Sequence, residues 1–192
     1  MPMNSERLVY WRFKAEAIVL LVFARNKAAH AVFSTMLARW PNDAYALSSR
    51  AHLRAQLGRA ADALVDAQQL IQAHPRRNAA DWFNLAYLLD DAGRHAEAEP
   101  VFREALKLDP KLDRAWYGLG LALIHLRRFD EAIVALKRNT ELQPMSPYGW
   151  YQLARVQFDN HKPQEAQKII RHLKGFEPKV AAQLERETGL VA

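Results

Sequence analysis

The sequence contains no cysteine, and its longest apolar run is the eight residues Ala17–Ala24. Without cysteine the chain can form neither disulfides nor a thiolate metal site, and it has no cysteine nucleophile. A membrane-spanning helix needs about 20 consecutive apolar residues, so no membrane span is predicted. Glu16, Arg25 and Lys27 border the run and argue against a signal peptide. We therefore expect a cytoplasmic protein, and the excess of Arg over Lys favours a bacterial source.

Patterns typical of catalysis are also missing. The seven histidines never occur in an H-E-x-x-H spacing, and the seven glycines do not form a phosphate-binding loop. The serines do not lie in the strained turn that presents a nucleophile in hydrolases. These absences predict a protein that is not an enzyme, with no cofactor and no metal site.

The net charge of +6 is unevenly distributed along the chain. Residues 78–112 carry −3, whereas the segments on both sides of them are basic. Nucleic-acid-binding proteins more often concentrate basic residues on one face. The pattern therefore favours a protein or peptide partner, and nucleic-acid binding is retained only as a rival hypothesis.

What the sequence does contain is a regular repeat. Five of its nine prolines are separated by 34, 35, 34 and 34 residues: Pro41, Pro75, Pro110, Pro144 and Pro178. Twelve residues before each proline lies an alanine: Ala29, Ala63, Ala98, Ala132 and Ala166. Small residues lie 24 before: Ala17, Ala51, Ala86, Gly120 and Ala154. Large apolar residues lie 28 before: Phe13, Leu47, Trp82, Trp116 and Trp150.

These columns predict helical hairpins. Two antiparallel helices approach closely only where small side chains admit the backbones, and a large side chain then fills the space beside them. Gly58 and Gly93 fall at the predicted turn between helices, where the other copies carry Ala24, Arg127 and His161. We predict one domain over residues 1–192, with repeats at 10–43, 44–77, 79–112, 113–146 and 147–180 and a capping helix at 181–192.

The columns resemble the tetratricopeptide repeat, in which a large residue, Leu and a small residue precede Ala and Pro. The third copy matches it with Trp82, Leu85, Ala86, Ala98 and Pro110. The resemblance covers residues 10–180 and implies an all-α, right-handed superhelical solenoid of five repeats with a C-terminal capping helix. It also implies a concave groove lined by the first helix of each repeat.

Carried onto this sequence, the resemblance implies a set of peptide-binding residues beside the core columns. They are His52, Phe83, Asn84, Tyr87, Asp91, Arg114, Tyr117, Tyr148, Tyr151, Gln152 and Arg155. Tyrosine is favoured on binding surfaces because it combines apolar area with a polar tip. Some family members hold a peptide carboxylate with Lys, Asn and Arg residues, and only Asn84 and Arg114 of that clamp survive here. Arg114 or Arg155 can bind a carboxylate in a looser version.

The first repeat departs from the pattern. Its inner face carries the apolar residues Trp11, Ile18, Leu21 and Val22, which predict a contact with residues 1–9, with a second copy or with a partner helix. Glu16 and Arg50 occupy a column that normally holds Leu. Two interpretations remain open: the end repeats are atypical and partly exposed, or Glu16 and Arg50 form an ion pair.

The sequence thus predicts a non-catalytic adaptor or scaffold that binds a peptide or helix in its groove, as co-chaperones of this family do. A dedicated chaperone for a secreted or membrane-associated client is the first alternative. A scaffold that self-associates through its first repeat, as a homo-oligomer, is the second.

Overall fold

The computed structural model describes residues 5–192, and all regular secondary structure within them is helical. The helices are α1 (Ser5–Val22), α2 (Asn26–Arg39), α3 (Ala44–Gln56), α4 (Ala60–Ala73), α5 (Ala79–Asp91), α6 (His95–Leu108), α7 (Asp113–His125), α8 (Phe129–Leu142), α9 (Pro147–Asp159), α10 (Pro163–Lys174) and α11 (Pro178–Thr188). Each predicted repeat contains two consecutive helices, which confirms the all-α repeat fold. The capping helix was predicted at 181–192; α11 begins earlier, at Pro178, and ends at Thr188, where Gly189 adopts the left-handed conformation.

The chain forms two compact units, Met1–Leu88 and Leu89–Ala192, with the division inside α5. The first unit contains α1 to α4 and most of α5, and the second contains the end of α5 and all later helices. The boundary lies within the third repeat, and the single domain over residues 1–192 stays a prediction.

The alanine column forms the centre of the hairpins. Ala29, Ala63, Ala98, Ala132 and Ala166 are each 0% exposed. At Gly120, in the other small column, an added Cβ would lie 2.7 Å from Cγ of Leu136. Small side chains are therefore required here because a neighbouring side chain occupies the space that a larger one would need.

The three tryptophans of the large column have an additional role. The indole Nε1 donates a hydrogen bond from Trp82 to the Pro75 carbonyl (2.8 Å), from Trp116 to Pro110 (2.9 Å) and from Trp150 to Pro144 (2.8 Å). Each bond joins a first helix to the loop that precedes it. The proline near the end of one repeat is thus hydrogen-bonded to the tryptophan near the start of the next repeat.

The turn column has one backbone conformation in all five repeats. Gly58 and Gly93 have φ of 74°, and Ala24, Arg127 and His161 have φ of 54°, 62° and 57°. Glycine adopts this left-handed region freely, whereas other L-residues are strained there. The column is therefore variable in residue type but fixed in geometry.

A buried ion cluster replaces apolar packing in the second repeat. Arg50 bonds both oxygens of Asp66, at 2.7 Å from Nη2 and 2.9 Å from Nε, and Arg54 Nη1 lies 2.7 Å from the same carboxylate. The Asp66 side chain is 1% exposed. The carboxylate that Arg50 binds is therefore Asp66 and not the exposed Glu16, so the interpretation that Glu16 and Arg50 form an ion pair is wrong.

The cluster extends to the preceding helix α2. Arg50 donates to Ser34 Oγ at 3.4 Å, and Arg54 donates to His30 Nε2 at the same distance. Burial, and then the positive charge of Arg54 and of Arg59, lower the pKa of His30, which keeps the ring neutral as an acceptor. Two arginines, one carboxylate and a neutral histidine thus occupy positions that are mostly apolar in the other repeats.

We predict that Gly58→Ala lowers the free energy of unfolding by about 1 kcal/mol, because alanine is strained at positive φ. An added Cβ at Gly58 meets no atom within 4 Å, so a steric clash cannot contribute. The reverse change, His161→Gly, is expected to raise stability by a similar amount, as measured by urea denaturation. Equal midpoints for all three proteins would contradict a conformational requirement at this column.

A second prediction concerns Asp66. Asp66→Ala leaves two half-buried guanidinium groups without their carboxylate and is expected to cost about 3 kcal/mol. The triple variant Arg50→Leu, Arg54→Leu and Asp66→Ala copies the fourth repeat, which has Leu119, Leu123 and Ala135 at these positions. We expect it to be at least as stable as the original chain in urea denaturation. If the triple variant is as unstable as Asp66→Ala, the three charged residues contribute more to stability than apolar residues at the same positions, and the expectation is wrong.

Candidate functional site

The predicted site residues of the first unit lie on α3 and α5. Tyr87 is exposed and stacks on the half-buried ring of Phe83, with ring centroids 6.3 Å apart. Asn84 is exposed on the same helix. His52 on α3 is exposed, with a ring nitrogen 3.0 Å from the Gln56 amide nitrogen. The structure therefore joins Phe83 and Tyr87 into one aromatic surface.

Within the second unit, none of the predicted site residues is buried. Asp91 lies at the end of α5, Arg114 and Tyr117 on α7, and Tyr148, Tyr151, Gln152 and Arg155 on α9. Tyr117 and Tyr151 are 34 residues apart and occupy matching positions of successive first helices, as do Arg114 and Tyr148. Tyr148 is 71% exposed.

The Tyr151 and Arg155 side chains already hold a carboxylate, which belongs to Glu187 of α11. The Tyr151 hydroxyl donates to Glu187 Oε2 at 2.7 Å, and Arg155 Nη1 donates to the same oxygen at 2.6 Å. Gln183 donates to the other oxygen at 2.8 Å. Donors from Gln183, Tyr151 and Arg155 lower the pKa of Glu187 to about 2.

This arrangement corrects the expectation for Arg155. The guanidinium does bind a carboxylate, but the carboxylate is part of the capping helix and not of a ligand. Burial is the main cause that raises the pKa of Tyr151, and the Glu187 contact adds to it because the negative charge of Glu187 disfavours a phenolate. Sequence reasoning did not identify Glu187 as a contact of Tyr151 and Arg155. Its position one turn after Gln183 was the available signal.

Gly118 lies where the carboxylate clamp of the family would need a basic residue. An added Cβ there would lie 2.5 Å from Cζ of Phe102, whose ring is buried between α6 and α7. The position is therefore closed to any larger side chain unless Phe102 moves. This explains, in physical terms, why the clamp is incomplete beside Arg114.

The apolar patch of the first repeat differs in part from its prediction. Trp11, Ile18 and Val22 are exposed, but Leu21 packs against the core of the first unit, so its assignment to the patch is wrong. Leu8, Val19 and Phe23 are also exposed and extend the patch. Residues 5–9 belong to α1 itself and do not fold over it, while residues 1–4 lie outside the described part of the chain.

A cleft that the sequence did not predict lies among α8, α9 and α10. Its volume is about 410 Å³, and Trp150, Gln157 and His172 contribute to its wall. Gln157 is buried, and within residues 5–192 its Oε1 has no hydrogen-bond partner. The corresponding positions of the third and fourth repeats hold Leu89 and Leu123, so a polar residue in an apolar column was the signal.

Two geometric findings complete the description of residues 5–192. No helix among them has both the length and the hydrophobicity to cross a bilayer. In the same range, no three His, Asp or Glu side chains are arranged to hold a metal ion.

Paired helices with buried alanine columns and exposed first-helix tyrosines define an all-α helical-repeat protein, a class that serves as a scaffold for protein–protein interaction. The chain belongs to the tetratricopeptide repeat family, whose model matches residues 50–113 and 83–147, together about half of the chain. Proteins of this family are typically interaction modules without catalytic activity.

Similar sequences come from larger proteins. The chain is 29% identical to human superkiller complex protein 3 over 101 residues, which are 50% of this chain and 6% of that protein. It is 34% identical to small glutamine-rich tetratricopeptide repeat-containing protein 2 of Mycosarcoma maydis over 61 residues, 32% of this chain and 17% of that protein. The alignments thus span only a small part of these curated relatives.

Solved structures share the fold over most of the chain. YrrB, described as a TPR protein with an unusual peptide-binding site, superposes with a TM-score of 0.82 at 16% identity, covering 91% of this chain and 90% of YrrB. MamA superposes with a TM-score of 0.81 at 15% identity, with 94% and 95% covered. At these identities the likeness establishes the fold alone.

The Glu187 contact leads to a prediction about pH. Because the pKa of Glu187 falls from 4.5 to about 2 on folding, its carboxylate stabilises the folded state above pH 4.5 and loses this effect as the pH falls towards 2. Glu187→Gln should therefore be less stable than the original chain at neutral pH, and the difference should shrink over that interval in urea denaturation. Glu141→Gln, which removes an exposed partner of Arg138, is the matched control and should change little. A difference that stays constant with pH would contradict the assignment.

Proposed function

We propose that the protein is a non-catalytic adaptor that binds an extended peptide segment of a partner on the surface formed by α7 and α9 of the second unit. The observation that carries the proposal is that no tyrosine on these two first helices is buried and that Tyr148 is 71% exposed. Family membership supports the general role, because repeat arrays of this type present first helices to their partners.

The side chains on this surface suit an extended peptide. Tyr148 is largely exposed and Tyr117 is half-buried, so both rings keep surface that a ligand can contact. Gln152 is half-buried beside them, and its amide can both donate to and accept from a peptide backbone. Tyrosine loses little conformational freedom on binding, since two torsions define its ring.

The chemistry of the surface also limits the ligand. Because Glu187 occupies Arg155 and Tyr151, the proposed peptide contacts α9 through Tyr148 and Gln152. Asp91 and the exposed face of the first unit, with His52, Phe83, Asn84 and Tyr87, are proposed as further peptide contacts in their own units. Asn84 and Gln152 occupy the same column, so the third and fifth repeats each offer one side-chain amide.

The proposal predicts a specific loss of binding. Peptides selected from a random display library against the intact protein should bind at least about tenfold more weakly to the double variant Tyr117→Ala and Tyr148→Ala, since each ring contributes on the order of 1 kcal/mol or more. The matched control is Val134→Ala with Met145→Ala, at positions 65% and 69% exposed in the same unit. Fluorescence anisotropy measures the affinities, and circular dichroism checks that both variants are folded.

Two results would contradict the proposal. The first is retention of every selected peptide by the tyrosine variant, which would move the binding surface elsewhere. The second is an equal loss in the control variant, which would make the loss an effect on the whole unit.

A further inference from the structure

Helix α1 is apolar on two opposite sides. One side packs into the core of the first unit through Ala17, with Tyr10, Phe13, Leu20 and Leu21 partly buried against it. The other side is exposed and consists of Leu8, Trp11, Ala15, Ile18 and Val22, which we name the α1 stripe. Leu8, Trp11, Ile18 and Val22 are 50%, 49%, 44% and 73% exposed. An exposed apolar stripe of this kind usually marks a surface that contacts another molecule.

The spacing of the stripe indicates what fills it. Its residues follow one another at intervals of 3, 4, 3 and 4, the heptad spacing that lets one helix pack along another. At a rise of about 1.5 Å per residue, the stripe is about 21 Å long. Its shape therefore suits a helix of about four turns, lying nearly parallel to α1.

The charges beside the stripe restrict the occupant further. In the heptad frame the flanking positions hold Arg7 and Lys14 on one side and Arg12 with Val19 on the other, so every flanking charge is positive. The Lys14 ammonium is fixed at the edge, 5.0 Å from the Trp11 ring centroid and 4.4 Å from that of Tyr45. Within residues 5–192, Arg7 and Arg12 form no ion pair.

The acidic residues of α1 do not neutralise this edge. Glu6 pairs with Arg39 of α2, away from the stripe. Glu16 lies outside the flanking positions of the heptad frame. A partner helix thus meets apolar side chains bordered by positive charge along both edges.

A second copy of this chain fits these charges poorly. Parallel pairing of two α1 helices would place Arg7 opposite Arg12 of the copy, and antiparallel pairing would place the two Lys14 residues close together. Like charges at flanking positions of paired helices disfavour association. The same positions would be attractive to carboxylates.

We propose that the α1 stripe binds an amphipathic helix of a partner protein in which Asp or Glu flanks the apolar stripe. This surface lies in the first unit, whereas the peptide-binding surface proposed on α7 and α9 belongs to the second. The protein would then connect two partners of different chemistry: an extended peptide and an acidic helix.

The test uses two designed peptides of about 21 residues, both with Leu at the two seam positions of each heptad. One has Glu at the flanking positions and the other has Lys there. We expect the Glu peptide to bind the intact protein at least about tenfold more tightly than the Lys peptide in fluorescence anisotropy, with an affinity that falls as salt rises. Like-charge repulsion keeps each peptide from pairing with itself.

Variants locate the binding site. Ile18→Glu with Val22→Glu should abolish binding of the Glu peptide. The matched control, Val65→Glu with Val134→Glu, alters valines that are 59% and 65% exposed on second helices and should bind normally. Arg7→Glu with Arg12→Glu should reverse the preference in favour of the Lys peptide. The variant of Tyr117 and Tyr148 should bind the Glu peptide normally, so failure of one proposal can be told from failure of the other.

Three outcomes would overturn the proposal. If both peptides bind equally, or if neither binds, the α1 stripe does not select a helix flanked by acidic residues. A concentration-dependent dimer in sedimentation, abolished by Ile18→Glu with Val22→Glu, would show that a second copy covers the stripe. Binding to phosphatidylglycerol vesicles without binding to the Glu peptide would assign the stripe to an anionic membrane surface.

Discussion

The close approach of the two helices in each hairpin is the constraint on which the rest of the structure depends. Five alanines at one position of the repeat are fully buried, and the backbones meet there. A larger side chain would separate the helices, and the large apolar residues beside them would no longer fill the interior. The tryptophan-to-proline hydrogen bonds then fix each first helix to its preceding loop. Together these contacts make the repeat a rigid element whose other positions are free to vary.

The repeat could be predicted because it depends on side-chain size and chain geometry, and both recur in the sequence. The proline, alanine and large-residue columns predicted five helical hairpins, which α1 to α10 form. Glycine at two positions predicted the turn, where Ala24, Arg127 and His161 share its left-handed conformation. The start of α11 was missed because Pro178 can either follow a helix or begin one. Prediction was therefore strongest where a position admits only one kind of residue.

The polar contacts could not be predicted in the same way. Arg50 was recognised as unusual, but its partner Asp66 lies 16 residues away on another helix, and a partner on the neighbouring first helix was equally consistent with the sequence. Arg155 was predicted to bind the carboxylate of a peptide, but the carboxylate that it contacts belongs to Glu187, 32 residues later. Leu21 was placed on the open side of α1, although its position on the helix turns it towards the core. Long polar side chains can reach several neighbours, so their partners depend on packing that spacing alone does not specify.

The buried cluster of Arg50, Arg54 and Asp66 has a consequence for how the chain finds its own neighbours. An array of similar hairpins risks pairing a helix with the wrong repeat during folding, because most interfaces are apolar and nearly equivalent. If α3 packed on the second helix of another repeat, its two guanidinium groups would face Val32, Ala135 or Ile169 in place of Asp66. Buried charges without a partner are strongly disfavoured, so this polar interface favours the pairing of α3 with α4 over pairing with a helix of another repeat. Fidelity of assembly, more than strength, is what such a pair of arginines contributes.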